Sequence, residues 1–258
     1  MIDFKKILCP VDLSAQSRAV APSVAAMAKR FGSEVILLHV TGAGVSQPEL
    51  ERFADEAFPD TRVIRELVEG DPGHEIVSYA QEHQVDLIMM PTHGHGPFRA
   101  LLLGSVTAKV LHDVRCPVWT GIHAEEMTAH SPDRWKRVLC ALETNEHGES
   151  VLKWTWDFAR QQSLELQLLH AVAGADGMWT EQSDPSMYEF LFHAARERLA
   201  KLQAAAGTSL EVRLTGGSVA SAVHQAAVDY DADLVVIGRR EHNASAIIRA
   251  APCPVISI

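Results

Sequence analysis

The sequence lacks any apolar run that approaches the roughly 20 residues of a membrane-spanning helix. Its N-terminus, Met1-Ile2-Asp3-Phe4, also lacks the order of charged and then apolar residues that marks a signal peptide. We therefore expect a cytoplasmic protein with no membrane partner.

Basic residues are scarce, since 23 Lys and Arg stand against 33 Asp and Glu and the formal net charge is −10. A protein that binds nucleic acid neutralises a run of phosphates with a basic surface. We expect no such surface here, and therefore no DNA or RNA partner.

Cysteine is also scarce, and the four thiols show no C-x-x-C spacing. Cys9, Cys116 and Cys253 each precede a proline at a predicted strand position, where a reduced and buried thiol is usual. His93 and His95 flank a glycine but have no carboxylate or cysteine nearby in the sequence, so we expect no metal site formed by protein ligands.

Glycine, in contrast, is placed where it can serve a ligand. The loop Pro91-Thr92-His93-Gly94-His95-Gly96-Pro97 follows the apolar run 86–90, and residues 105–113 after it are typical of a helix. Glycines let a backbone approach an anion closely, and the first N–H groups of a helix face it with the positive end of the helix dipole. This arrangement indicates a nucleotide site.

The two halves of the sequence are similar in four segments that occur in the same order. The matched pairs are 6–12 with 137–143 and 34–40 with 165–171 at an offset of 131, 86–90 with 233–237 at an offset of 147, and 116–118 with 253–255 at an offset of 137. The second half has therefore gained 16 residues (147 − 131) after its second strand and lost 10 (147 − 137) where the first half has its glycine loop.

Each half alternates strands with helices, which predicts a parallel sheet covered by helices on both faces. The predicted strands of the first half are 5–11, 34–40, 61–67, 85–90 and 117–121.

Helix boundaries follow from capping residues. The first helix is expected to begin after Ser14 or Ser17 and to end at Gly32. Pro22 means that this helix either starts near the proline or bends there. A later helix has Asp71 as its N-cap and Pro72 at its first position.

The residues resemble the universal stress protein family, here as a tandem pair that covers essentially the whole chain. The family pattern is a glycine, two residues, a second glycine, nine residues and then Gly-Ser or Gly-Thr; its second glycine and its Gly-Ser are found at Gly94 and Gly104-Ser105. Further matches are Pro10-Val11-Asp12-Leu13-Ser14, Leu38-His39-Val40 and Cys116-Pro117-Val118. The resemblance implies two doubly wound α/β domains of the adenine nucleotide alpha hydrolase-like, Rossmann-like type, which we place at 1–122 and 135–258.

The resemblance also implies an adenine nucleotide ligand, ATP, often with a divalent metal, for which we expect Mg²⁺. Residues carried over for the adenosine end are Pro10, Asp12 and Val40. Those for the phosphates are Gly94, Gly104, Ser105 and Val106. The sequence contains no catalytic triad, carboxylate pair or P-loop lysine in a supporting context, so we expect no catalytic residues and at most slow ATP hydrolysis.

The chain departs from the family pattern in both halves. Pro91 stands where the pattern starts with glycine; it is compatible with a tight strand exit but not with a position that needs a positive φ or an N–H group. In the second half, Glu143 and Ala171 replace Asp12 and Val40, and the glycine loop is absent. We therefore expect one nucleotide site, in the first half, with a second domain kept for structure.

Two functions remain open for the whole protein. The first is an ATP-binding stress-response regulator whose nucleotide-bound surface is recognised by an unidentified protein partner. The alternative is a stress-response interaction module that binds no nucleotide. In this family, fifth strands commonly pair antiparallel, so 118–120 and 255–257 could pair within one chain as a pseudo-dimer, and two chains could associate further as a homodimer.

Overall fold

The computed structural model describes residues 2–41, 47–93, 103–121, 130–172, 185–239 and 243–258. The described chain forms two compact units. The N-terminal unit contains Asp3–Trp135 and Cys253–Ile258, and the C-terminal unit contains Lys136–Pro252 with Ile2. The boundaries 1–122 and 135–258 describe the repeated sequence module and stay a prediction.

The N-terminal unit alternates strands and helices along the chain. Its strands are β1 (Lys6–Pro10), β2 (Glu34–Thr41), β3 (Val63–Glu69), β4 (Leu87–Pro91) and β5 (Val118–Gly121). Its helices are α1 (Ala15–Phe31), α2 (Gln47–Ala57), α3 (Pro72–Glu82) and α4 (Ser105–Asp113), with a short 3₁₀ turn at Pro132–Arg134.

The C-terminal unit repeats this order. Its strands are β6 (Arg137–Ala141), β7 (Glu165–Ala171), β8 (Val212–Thr215) and β9 (Leu234–Ile237). Its helices are α5 (Gly148–Gln162), α6 (Pro185–Ala206), α7 (Val219–Tyr230) and α8 (Ala244–Ala250). The strand β10 (Val255–Ser257) lies in the N-terminal unit.

Strand pairing confirms the predicted doubly wound fold. In the N-terminal unit the parallel pairs give the order β3-β2-β1-β4-β5. The C-terminal unit has the equivalent order β8-β7-β6-β9, also parallel. The order reverses beside β1 and beside β6, and a ligand in this fold class binds at the carboxyl ends of the strands near such a point.

The predicted pairing of 118–120 with 255–257 is found. β10 runs antiparallel to β5 in the register Val255 to Thr120, Ile256 to Trp119 and Ser257 to Val118. The edge of β5 that β4 does not use is thereby covered, which removes a row of unpaired backbone groups.

The same hydrogen bonds recur in both units, as the repeat predicts. The Asp86 carboxylate accepts from the backbone N–H of Lys6 at 2.8 Å. Its counterpart Asp233 accepts from the N–H of Arg137 at 3.0 Å. Each aspartate therefore ties the turn before the fourth strand of its unit to the start of the first.

Helix α1 settles the question raised by Pro22. Ser14 is the N-cap, its hydroxyl accepts from the N–H of Ser17 at 3.2 Å, and Gly32 ends the helix at a φ of 64°. Pro22 lies inside the helix, so a start close to the proline is wrong. The proline ring is exposed to solvent, where water can satisfy the carbonyl that lacks its helical donor.

The predicted cap of α3 is confirmed. The Asp71 carboxylate accepts from the N–H of His74 at 2.9 Å, and Pro72 occupies the first turn.

In the described parts of the chain, no helix combines the length and the hydropathy that a bilayer crossing requires.

Candidate functional site

A cavity of about 250 Å³ opens at the carboxyl ends of β1, β2 and β4 in the N-terminal unit. Six of the seven predicted site residues line it: Pro10, Asp12, Val40, Gly104, Ser105 and Val106. The seventh, Gly94, lies outside the described residues, as do His95 and Gly96. The structure therefore brings together residues that are about 100 positions apart in the sequence, because β1 and β4 are neighbours in the sheet.

The turn after β1 fixes the position of Asp12. The Asp12 carboxylate accepts from the hydroxyl of Ser17 at 2.6 Å and from the N–H of Ser14 at 3.1 Å. Between Asp12 and Ser14, Leu13 adopts a left-handed backbone conformation with a φ of 61°, which a bulky side chain rarely occupies. The carboxylate is thus held by the first turn of α1 at the wall of the cavity, while Ser14 and not Asp12 caps the helix.

The end of β2 holds the same turn from the other side. The N–H of Val11 donates to the carbonyl of Leu38 at 2.9 Å, which continues the pairing of β1 with β2 by one residue. The ring of His39 is buried, and its Nδ1 lies 2.7 Å from the carbonyl oxygen of Val11. Leu38 and Val40 then contribute apolar surface to the cavity.

Helix α4 begins at the far wall of the cavity. Its N-cap is Gly104, which offers no side-chain acceptor, so the N–H groups of Ser105, Val106 and Thr107 have no capping side chain. These N–H groups carry the positive end of the helix dipole and form a site suited to an anion.

Gly104 suits that position because the backbone that follows β4 passes close to it. A Cβ at Gly104 would lie 3.3 Å from the carbonyl oxygen of Thr92 and 3.4 Å from the Cα of His93. The N–H of Gly104 donates to the same Thr92 oxygen at 2.9 Å.

Pro91 is the last residue of β4, not a turn residue with a positive φ. It pairs with Gly121 of β5, and its carbonyl accepts from the hydroxyl of Thr107 at 3.2 Å. The next N–H, that of Thr92, donates to the Gly121 carbonyl at 3.4 Å. Pro91 is thus compatible with a strand exit here, and it contributes ring surface to the cavity but no donor.

Several lining residues give no signal in the sequence. Pro72 and Ile76 of α3 close one side of the cavity, and Met90 of β4 forms part of its floor. They are apolar residues of ordinary helix and strand patterns, and only the fold places them beside Asp12.

Ionisable groups are few around this cavity. Asp12 is the one carboxylate among the described lining residues, and His93 the one imidazole. Across the described ranges, no group of three or more His, Cys, Asp or Glu side chains could hold a metal ion. Cys9, the residue before Pro10, is buried. Burial raises the pKa of its thiol to about 12, so this cysteine remains a neutral thiol.

Comparison with known proteins agrees with this architecture. A model of the universal stress protein family matches residues 3–58, 42–120 and 134–258. A universal stress protein of Methanocaldococcus jannaschii is 31% identical over 136 residues, which cover 45% of this chain and 80% of that protein. One of Thermus aquaticus is 31% identical over 132 residues, which cover 45% of this chain and 96% of that protein.

A similar fold extends over the whole chain. The crystal structure of a universal stress protein from Archaeoglobus fulgidus covers 99% of this chain and 96% of its own, with a TM-score of 0.69 and 21% identity. At that identity the likeness shows the fold alone. The family model, however, matches segments in both halves that together span most of the sequence, and the chain therefore belongs to the universal stress protein family.

Proposed function

We propose that the N-terminal unit binds ATP and that the protein acts as a nucleotide-responsive stress regulator. The observation that carries the proposal is that one cavity brings together the apolar surface of Pro10, Leu38 and Val40, the Asp12 carboxylate and the uncapped start of α4. An adenosine group needs the first two, and a phosphate chain needs the third.

The adenosine end would lie against Pro10, Leu38 and Val40, with the Asp12 carboxylate accepting from ribose hydroxyls. Asp12 suits this role because Ser14 and Ser17 fix its orientation before a ligand arrives. The volume of about 250 Å³ is slightly below the roughly 300 Å³ at which ligand pockets commonly begin. We therefore place only the nucleoside in the described cavity, and the phosphates would extend along the start of α4 at Ser105 and Val106.

A Mg²⁺ ion fits this site only through the nucleotide. Mg²⁺ takes six oxygen ligands and is usually held by one or two carboxylates, substrate phosphates and water. Asp12 alone among the described lining residues offers a carboxylate, so the triphosphate itself would have to supply most of the non-water ligands.

We further infer that ATP is bound and at most slowly hydrolysed. Asp12 is the one carboxylate among the described lining residues, and in this arrangement it lies at the ribose and not at the phosphates, where a water molecule would have to be activated. Binding would act by ordering a surface that a protein partner, or a second copy of the chain, recognises.

Isothermal titration calorimetry with ATP, adenosine and inorganic triphosphate, each with and without Mg²⁺, tests the proposal. We expect ATP to bind at one site per chain and more tightly than either fragment. Asp12→Asn keeps an oxygen for the turn but loses the charge, and it should weaken ATP binding about tenfold or more. Asp60→Asn, on an exposed turn, should leave the affinity unchanged.

Absence of heat and of any change in melting temperature with ATP, for a folded protein, would reject this proposal. It would favour the interaction module that binds no nucleotide, for which the missing N–H group of Pro91 is the supporting observation.

A further inference from the structure

The C-terminal unit contains a larger cavity, of about 510 Å³, at the carboxyl ends of β6 and β7. It lies where the repeat places the counterpart of the first cavity. Glu143 and Ala171 line it at the positions that correspond to Asp12 and Val40, and His170 is a lining residue here although its counterpart His39 is not one in the first cavity. Its volume is within the range of about 300–1,000 Å³ that small-molecule sites occupy.

Among its described lining residues, this second cavity has no uncapped helix start like that of α4 at the first cavity, apart from the short helix α8. Two helices start beside it: α8 has seven residues and an N-cap, Asn243, that makes no side-chain cap hydrogen bond, whereas the first turn of α7 is already capped by Ser218, which accepts from the N–H of Ser221. The Gly-Ser start found at Gly104 and Ser105 has no equivalent there. A ligand of this cavity must therefore be recognised by its walls.

One wall comes from α6, which is 22 residues long, whereas its counterpart α2 has 11. About two and a half turns of one face of α6 contribute Phe190, Leu191, Ala194, Ala195 and Arg198. No residue of α2 is among the described lining residues of the first cavity. The lengthened helix thus gives the second cavity a wall of its own.

That wall is apolar and in part exposed. Phe190 has 67% of its surface exposed, although it lines a cavity with Leu142, Leu169, Val219 and Val223 on other sides. Covering apolar surface of this kind is favourable by about 25 cal/mol per Å². The cavity therefore favours a ligand with an apolar chain or ring.

Charge is available at one end of the same helix face. In the described parts of the chain, Arg198 has no carboxylate within ion-pair distance, unlike Arg213, whose guanidinium lies 2.6 Å from Asp229. The carboxylate of Glu143 accepts from the side-chain amide of Asn145 at 2.9 Å. A guanidinium that lacks a partner is suited to a carboxylate.

We propose that this cavity binds a small amphipathic carboxylate, with its apolar part against Phe190, Leu191 and Val223 and its carboxylate on Arg198. The site is independent of the ATP site, because every residue in it belongs to the C-terminal unit.

Titration calorimetry with three ligands of equal chain length, decanoate, decan-1-ol and decylammonium, tests the assignment on the full chain, each below its micelle concentration. We expect decanoate to bind at one site per chain, at least about fivefold more tightly than the alcohol, and decylammonium to bind most weakly. Equal binding of all three would overturn the role of Arg198, and absence of decanoate binding would overturn the proposal.

Two substitutions locate the site. Arg198→Gln should weaken decanoate binding at least fivefold, while Arg196→Gln, on the same helix but outside the cavity lining, should leave it unchanged. Ala194→Trp should fill the cavity and abolish binding, provided that circular dichroism and the melting temperature show a folded protein. Decanoate binding that survives both Arg198→Gln and Ala194→Trp would contradict the proposal, and Asp12→Asn should not affect it.

Discussion

The Nδ1 atom of His39 lies 2.7 Å from the carbonyl oxygen of Val11, and both residues are buried. A carbonyl oxygen only accepts, so Nδ1 carries the proton and donates. His170 and the carbonyl of Leu142 repeat the contact at 2.7 Å in the C-terminal unit. Each unit therefore fastens the turn after its first strand to the end of its second strand with a histidine.

Loss of this contact should destabilise the N-terminal unit. His39→Leu leaves the buried carbonyl of Val11 without a donor, for which we expect a loss of about 1–3 kcal/mol in unfolding free energy. Urea unfolding measures this loss in unfolding free energy, with His74→Leu on the exposed face of α3 as the control. A loss no larger than that of the control would show that the histidine has no role in holding the turn.

Gly148 and Gly73 should respond differently to the same change. A Cβ at Gly148 would lie 2.2 Å from the carbonyl oxygen of Glu143, a backbone atom that cannot move cheaply. At Gly73 it would lie 2.7 Å from the Cδ of Lys109, within a flexible side chain. We expect Gly148→Ala to cost about 3 kcal/mol and Gly73→Ala less than about 1 kcal/mol, measured by thermal unfolding. Similar costs at both sites would contradict this packing argument.

Ser105 allows the backbone contribution to phosphate binding to be tested separately from its hydroxyl. Ser105→Pro removes the N–H group at the first position of α4, where proline is tolerated in a helix. Ser105→Ala removes only the hydroxyl. If backbone N–H groups hold the phosphates, Ser105→Pro should weaken ATP binding by about tenfold without affecting adenosine, and Ser105→Ala should do so less. Calorimetry with both ligands decides this, and an equal loss for adenosine would point to a displaced helix instead.

Cys9 predicts a pH dependence of stability. Burial raises the pKa of its thiol from 9.0 to about 12, so below pH 9.0 the folded and unfolded chains both hold the proton. Above pH 9.0 the unfolded chain loses it while the folded chain keeps it, so the unfolding free energy falls as pH rises. The slope contributed by this thiol approaches about 1.4 kcal/mol per pH unit.

Cys9→Ala isolates this contribution from other groups that titrate in the same range. The wild type should lose stability more steeply than the variant above pH 9.0, and both should follow the same course below it. Parallel curves throughout would mean that the thiol is accessible to ionisation in the folded state.

The sequence predicted the parts of the fold that depend on local chemistry. Asp71 and Pro72 mark a helix start by capping, Gly32 marks a helix end by its positive φ, and the strands appear as short apolar runs. Pro22 shows the limit of this reasoning, because α1 continues on both sides of this exposed proline, although a proline inside a helix removes a hydrogen bond.

Of the two cavities, only the one whose residues belong to a sequence motif could be predicted. Asp12 and Ser105 belong to a recognisable pattern, so their position at one cavity was expected. The cavity bounded by Phe190 and Arg198 was not, since an apolar residue and an arginine on a long helix give no sequence signal until β7 and α7 are placed beside them.

The location of β10 affects how the protein is made. Residues 253–258 complete the N-terminal unit, yet the ribosome synthesises the entire C-terminal unit before them. A nascent chain that has just passed Trp135 therefore exposes β5 as an open strand edge, on which other nascent chains can pair. The edge of β5 is covered only after residues 253–258 have been synthesised and β10 has paired with it.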